Sequence, residues 1–175
     1  MSLGYKRFVL ISLVFAWMVL IFSFSAKPAD ESADMSHSVG RTVGRFFVPS
    51  FEEWDEEAQE AFADRIDYPV RKTAHATEYA ILGILLMAAT GTFSDKIDGD
   101  IIRIINIPAV GYRSGLSFLI GTMYAASDEF HQLFVPGRSG QISDVMLDSA
   151  GVLAGILLFL VYNRIIFYIR AKFAG

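Results

Sequence analysis

Four apolar stretches close to membrane-spanning length leave this chain few folds to choose from. They cover about residues 8–26, 73–94, 111–129 and 142–163, and the first carries no charge at all. Crossing roughly 30 Å of hydrocarbon as a helix takes about 20 residues, so each run is long enough, or nearly so, to span. The expected fold is an all-α integral membrane protein. A single domain over residues 1–175 would form a bundle of about four transmembrane helices, with an extracytoplasmic amphipathic helix in the first loop, 27–70.

Composition agrees with that class. The chain is 53% hydrophobic and 14% aromatic, above the apolar share of an ordinary soluble domain. Its net charge of -4, with no Lys/Arg-rich arm, argues against nucleic acid as a partner. With no cysteine, disulfides, zinc thiolate sites and thiol catalysis are excluded. Lys6 and Arg7 precede the first run and Ser25 and Ala26 end it, as in a signal peptide. The run exceeds a signal core of about 7–15 residues, so a retained anchor is expected. Placing both termini in the cytoplasm puts Lys6, Arg7, Lys96, Arg103, Arg113, Arg164, Arg170 and Lys172 in short inner segments, as the positive-inside rule favours.

The first loop has helical signals. Ser50 and Glu53 have capping-box spacing, and Phe51, Trp54, Ala58 and Phe62 recur every three or four residues, predicting an amphipathic helix over about 51–66. Val39, Val43 and Phe46 predict a weaker helical turn or two between Pro28 and Pro49. Residues 95–112 read as an interfacial helix or a loop.

Ionisable residues inside the apolar runs mark the candidate site, because charge at membrane depth costs several kcal/mol unless it is partnered. Arg71, His75 and Glu78 share one helical face at i, i+4 and i+7, with Lys72 beside them. Ser117, Gly121, Tyr124 and Asp128 form a second stripe, ending at Glu129, His131 and Gln132. Asp144, Asp148, Gly151 and Gly155 form a third, in which small residues allow close helix approach. All three stripes reach the same membrane side, predicting one outward-facing pocket under the turn PGRSG. Arg138 in that turn suits a phosphate or carboxylate. His75, Glu78, Asp128, Glu129, His131, Asp144 and Asp148 are the candidate catalytic groups, and Arg71, Lys72, Tyr124, Gln132 and Arg138 the candidate substrate-binding groups. Each also has a structural reading: the aspartates as partners of nearby cations, the histidines as satisfied core residues.

No protease template fits, since there is no nucleophile elbow, HExxH motif or cysteine. Two imidazoles among carboxylates suit general acid/base work. Two His and a carboxylate would also suit zinc, and Asp128, Glu129, Asp144 and Asp148 would suit magnesium or manganese. The spacing matches no specific metal signature, so the cofactor stays unassigned, with a divalent metal as one option.

Three segments, FSFSAKPADES, VRKTAHATEYAILGILL and YAASDEFHQLFVPGRSGQISDVMLDSAGVLAG, resemble the VanZ-like family of bacterial membrane proteins, named for a teicoplanin-resistance protein. The resemblance implies a bundle of four or five membrane helices in the cytoplasmic membrane and a link to low-level glycopeptide resistance, teicoplanin above vancomycin. It carries over Arg71, Lys72, His75, Glu78, Asp128, Glu129, His131, Gln132, Arg138, Asp144 and Asp148 as motif positions, and it brings no established reaction. The acidic helix near Trp54 departs from the family's shorter first loop. The leading expectation is a protein that binds or acts on a membrane lipid or a lipid-linked cell-wall intermediate. Alternatives are a non-catalytic envelope-binding protein that alters antibiotic access, and a proton-coupled transporter.

Overall fold

The computed structural model describes residues 3–94 and 108–173, and among these the chain is all-α, without strands. Five helices follow in order: α1 (Leu3–Ser25), α2 (Ala29–Phe47), α3 (Glu56–Ser94), α4 (Pro108–Gln132) and α5 (Ile142–Phe173), with a 3-10 turn, Phe51–Glu53, before α3. Two of them, α1 and α5, are long and apolar enough to cross a membrane. The predicted runs 73–94 and 111–129 fall on the second half of α3 and on α4. Most of the predicted connection 95–112 lies outside the described residues.

The first loop is more helical than its periodicity suggested. Instead of a turn or two, α2 is a regular helix of 19 residues, stabilised by partners on α3 that a local pattern cannot reveal. Arg41 Nη2 reaches Glu60 Oε2 at 2.7 Å, Ser36 Oγ bonds the Asp67 carboxylate, and Gly40 lets Ala63 pack close. The Ser50–Glu53 capping box does not form. Ser50 is left-handed at φ 56 and makes no side-chain cap bond. The cap is Asp55, whose Oδ1 accepts the Ala58 N–H at 2.7 Å, ahead of Glu56 and Glu57 in the first turn, where the helix dipole favours acids. The 3-10 turn instead buries Phe51 against Trp54 and Phe62, with ring centroids 5.3 Å away in both pairs.

From Glu56 the helix runs through Pro69 to Ser94 without a break, so the predicted amphipathic helix and second span are one rod of 39 residues. The core lies where its second half meets α1, α4 and α5. Ile21, Tyr79, Leu82, Ala125, Val152 and Ile156 are none of them more than 2% exposed. The tightest seam joins α3 to α5: a Cβ on Gly151 would lie 2.5 Å from the Ala76 carbonyl oxygen, one on Gly155 would strike that of Ala80, and one on Gly83 that of Val152. Backbone approach this close is what small residues at four-residue spacing permit. Two side chains hook α1 in place: Trp17 Nε1 donates to the Glu78 carbonyl at 2.9 Å and the Tyr124 hydroxyl to that of Met18 at 2.6 Å.

Gly155→Val is expected to lower stability by about 1–3 kcal/mol, or to prevent assembly, by forcing α3 and α5 apart. Gly115→Ala, where nothing lies within 4 Å of the added carbon, is expected to be neutral or to stabilise by up to about 1 kcal/mol. Thermal unfolding of both variants in one detergent checks the contrast.

Candidate functional site

Because Gly151 and Gly155 draw α5 onto α3, the residues one or two turns earlier on each helix are brought face to face. Lys72 Nζ forms an ion pair with Asp144 Oδ1, and it sits 5.3 Å from the centroid of the Tyr68 ring, a cation–π distance. Arg71 Nη2 bonds Asp67 Oδ2 at 2.6 Å one turn back on α3. The Asp67 carboxylate also takes the Ser36 hydroxyl of α2, so Arg71 is held by a relay from a neighbouring helix.

The turn after α4 closes over these groups. Glu129 holds it: Gln132 Nε2 donates to Oε1 and the Gln141 backbone N–H to Oε2, both at 3.0 Å. Gly140 lies so close to the Glu129 carbonyl that a side chain there would collide with it. Gly137 has φ 72, a left-handed conformation that favours glycine. The turn is tied to the start of α2, where the Ala29 N–H donates to the Pro136 carbonyl at 3.2 Å. Arg138 Nε donates to the Lys27 carbonyl at 3.2 Å, and among the described residues no carboxylate forms an ion pair with it. Burial, then the like charge of Arg71, pulls Arg138 below its ordinary value, with Asp128 and Glu129 opposing; a guanidinium starting that high remains a cation.

These pieces enclose a cavity of about 240 Å³ lined by charged groups of both signs. From α3 come Arg71, Lys72 and His75, from α4 Glu129 and Gln132, from the turn Arg138, and from α5 Asp144 and Asp148. Asp148 is 1% exposed, and neither of its carboxylate oxygens has a hydrogen-bond partner. Glu129, Asp128 and Asp144 act on it with like charge and Lys72 with opposite charge. Buried carboxylates are normally paired or hydrogen-bonded, so Asp148, together with the unpartnered Nδ1 of His75, gives this cavity bonding capacity that the described residues do not use.

Four predicted residues sit elsewhere. Glu78 lines a second, more apolar cavity of about 160 Å³ with Phe24, Met35, Val39 and Ala74, and this cavity shares Arg71, His75 and Arg138 with the first. His75 Nδ1 lies 4.0 Å from Glu78 Oε2, between the two spaces. Asp128, 2% exposed, accepts the Ser25 hydroxyl at 2.7 Å on Oδ2 and has no partner on Oδ1. Tyr124 is committed to α1 through Met18, and His131 packs on Phe22 with ring centroids 4.5 Å apart. One end of each stripe therefore reaches the charged cavity, through Arg71 and His75, through Glu129 and Gln132, and through Asp144 and Asp148, while Tyr124 and His131 pack against α1.

Sequence reasoning missed Ser25, Asp67, Tyr68, Ser139 and Gln141. Ser25 and Asp67 lie outside the stripes, and no spacing rule links Ser25 to a carboxylate 103 positions away. Among the described residues the predicted metal donors Asp128, Glu129, Asp144 and Asp148 do not form a compact ligand set; Glu129 accepts one hydrogen bond on each oxygen and Asp144 is paired with Lys72. The His, Asp and Glu ligand atoms that meet within 4.8 Å as a set of three, among the described residues, belong to His37, Glu60 and Asp64, away from the cavity.

The sequence profile described as VanZ/LLP1 matches residues 10–166, a stretch containing every residue that lines both cavities. The chain belongs to the VanZ/LLP1 family. Comparison with curated proteins and with solved structures returns no match. Membership agrees with the membrane reading of α1 and α5, and the motif segments VRKTAHATEY and SDEFHQLFVPGRSGQISDVMLD are the segments that build the charged cavity.

Ser25→Ala would leave both oxygens of buried Asp128 without a partner and is expected to cost about 1–3 kcal/mol. Ser25→Ala combined with Asp128→Leu should recover part of that loss, since removing both polar groups removes the unmet demand. Denaturation of the parent, both single variants and the double variant measures the coupling.

Proposed function

We propose that the chain is a multi-pass protein of the bacterial cytoplasmic membrane that takes the anionic headgroup of a lipid, or of a lipid-linked cell-envelope intermediate, into the charged cavity. Four spans are proposed: α1, the second half of α3, α4 and α5. Both termini lie in the cytoplasm, the cavity opens outward, and α2 with the first turns of α3 stands outside the bilayer. The family's link to glycopeptide resistance, teicoplanin in particular, is the expected phenotype.

The observation that carries this reading is the pairing of a charged cavity with an apolar one across the shared residues Arg71, His75 and Arg138. A polar space and an apolar space meeting at two arginines and a histidine match the build of an anionic amphiphile. Arg138, which forms no ion pair with a carboxylate among the described residues, takes the phosphate or carboxylate with Arg71 beside it. Asp148 accepts a hydroxyl or ammonium proton from the same headgroup, which meets its unfilled demand. His75, between the two spaces and beside Glu78, is placed to move a proton at the junction of headgroup and tail.

In the catalytic form of this reading, Asp148 and His75 perform acid/base chemistry on the headgroup while Arg71, Lys72 and Arg138 fix it. In the non-catalytic form, the protein sequesters or displays an envelope lipid and so alters antibiotic access. The full ion pairing of Lys72 and Asp144 favours neither form.

The experiment is lipid binding and turnover by protein in nanodiscs, together with teicoplanin susceptibility of cells carrying the same variants. Arg138→Gln is expected to weaken binding of anionic lipid about 10- to 100-fold, the loss of one charge-assisted contact. Asp148→Asn is expected to leave binding within a few fold and to abolish turnover. Absence of turnover on any anionic lipid, with resistance preserved in Asp144→Glu, selects the non-catalytic form. Equal binding of anionic and neutral lipids by the parent and by Arg138→Gln overturns the reading as a whole.

A further inference from the structure

A second polar cluster, remote from the charged cavity, joins α2 to the first turns of α3. His37 Nδ1 lies 3.0 Å from Glu60 Oε1, and its other nitrogen, Nε2, lies 3.0 Å from Asp64 Oδ1. A neutral imidazole carries a proton on only one nitrogen, so one of these contacts would set a lone pair against a carboxylate. The arrangement calls for an additional positive charge. A second proton would supply it, and so would a metal ion.

We infer that His37, Glu60 and Asp64 form a binding site for a divalent cation of the zinc type. One atom from each residue lies within 4.8 Å of the others. In a tetrahedral site with bonds of about 2.0–2.1 Å, neighbouring ligand atoms stand about 3.4 Å apart, so the set closes around an ion on one His37 nitrogen when the carboxylate now facing the other nitrogen swings round to join it. Glu60 and Asp64 are four residues apart on α3 and share one helical face. An imidazole with two carboxylates is a borderline donor set, suited to zinc more than to calcium or magnesium.

Two further features support an ion over a proton. Arg41 Nη2 holds the other Glu60 oxygen, Oε2, at 2.7 Å, leaving Oε1 aimed at His37 as an oriented ligand is by its outer partner. The open groove alongside is lined by Glu56, Glu57, Glu60 and Asp64 against the single cation Arg41, a negative field that concentrates cations and leaves a fourth coordination position for water. Since α2 also supplies Met35 and Val39 to the apolar cavity, an ion here would fix that wall in place.

The test is a Zn²⁺ titration of the full chain in nanodiscs after chelator treatment, read by calorimetry and by the shift in thermal unfolding. One equivalent should bind with micromolar or tighter affinity and raise the unfolding temperature, and Glu60→Gln and His37→Ala should each weaken binding at least tenfold. The absence of cysteine makes His37→Cys a clean second variant. It should keep the site, and with Co²⁺ or Cd²⁺ it should show a thiolate charge-transfer band that Asp64→Asn removes. Absence of stoichiometric binding by the parent, or absence of the band in a folded His37→Cys protein, overturns the inference and leaves the trio a protonated clasp. Binding lost in His75→Gln but kept in His37→Ala overturns it too, since the ion would then belong to the charged cavity.

Discussion

The near-contact of two backbones underlies this structure. Along the seam of α3 and α5, glycines at 83, 151 and 155 bring each helix against carbonyls of the other. In an apolar solvent helices gain little from hiding hydrophobic surface, so packing at this range supplies the association energy. The same approach sets the chemistry. Gly151 lies against Ala76; Asp148 and Asp144 follow one and two turns earlier on α5, with His75 next to Ala76 and Lys72 one turn before it on α3, where Lys72 pairs with Asp144. Bulk at the seam would separate Lys72 from Asp144, so the glycines position the site without touching its contents.

The remaining elements close what the seam opens. The end of α1 gives Ser25 to Asp128, and Glu129 spends both oxygens on holding the turn that carries Arg138. The start of α2 is tied to that turn. Several groups with the right chemistry for catalysis are thus occupied in building the cavity, while His75 Nδ1 and both Asp148 oxygens, which line it, have no hydrogen-bond partner among the described residues. Buried charge that is fully paired adds little to stability and mostly fixes geometry. A buried carboxyl left without a hydrogen-bond partner, as on Asp148, is where a ligand has something to gain.

Around this centre the protein divides its polar work. The charged cavity and its apolar neighbour form one unit, joined through Arg71, His75 and Arg138. The ion-pair cluster between α2 and α3 is another, and it stabilises the helix that walls the apolar space. Asp67 links the two, since it receives Ser36 from α2 and orients Arg71 for the cavity. A change in how α2 sits would therefore be felt at the charged cavity.

The sequence by itself determined the all-α class, the long apolar rods and which faces carry titratable groups, because helical periodicity and hydropathy are local properties. The stripes through His75 and Asp148 were legible on that basis, and so was the glycine seam. Only the tertiary structure decided which of those groups are free. It assigned Tyr124 and His131 to packing, turned Glu129 into a brace, replaced the Ser50 cap with Asp55, and fused the amphipathic helix with the span after it. It also assembled His37, Glu60 and Asp64 from two helices, and gave Asp128 a serine from the far end of α1. Spacing along one helix says which way a side chain points. Whether its bonding capacity is filled depends on residues distant in sequence, whose approach is fixed by packing.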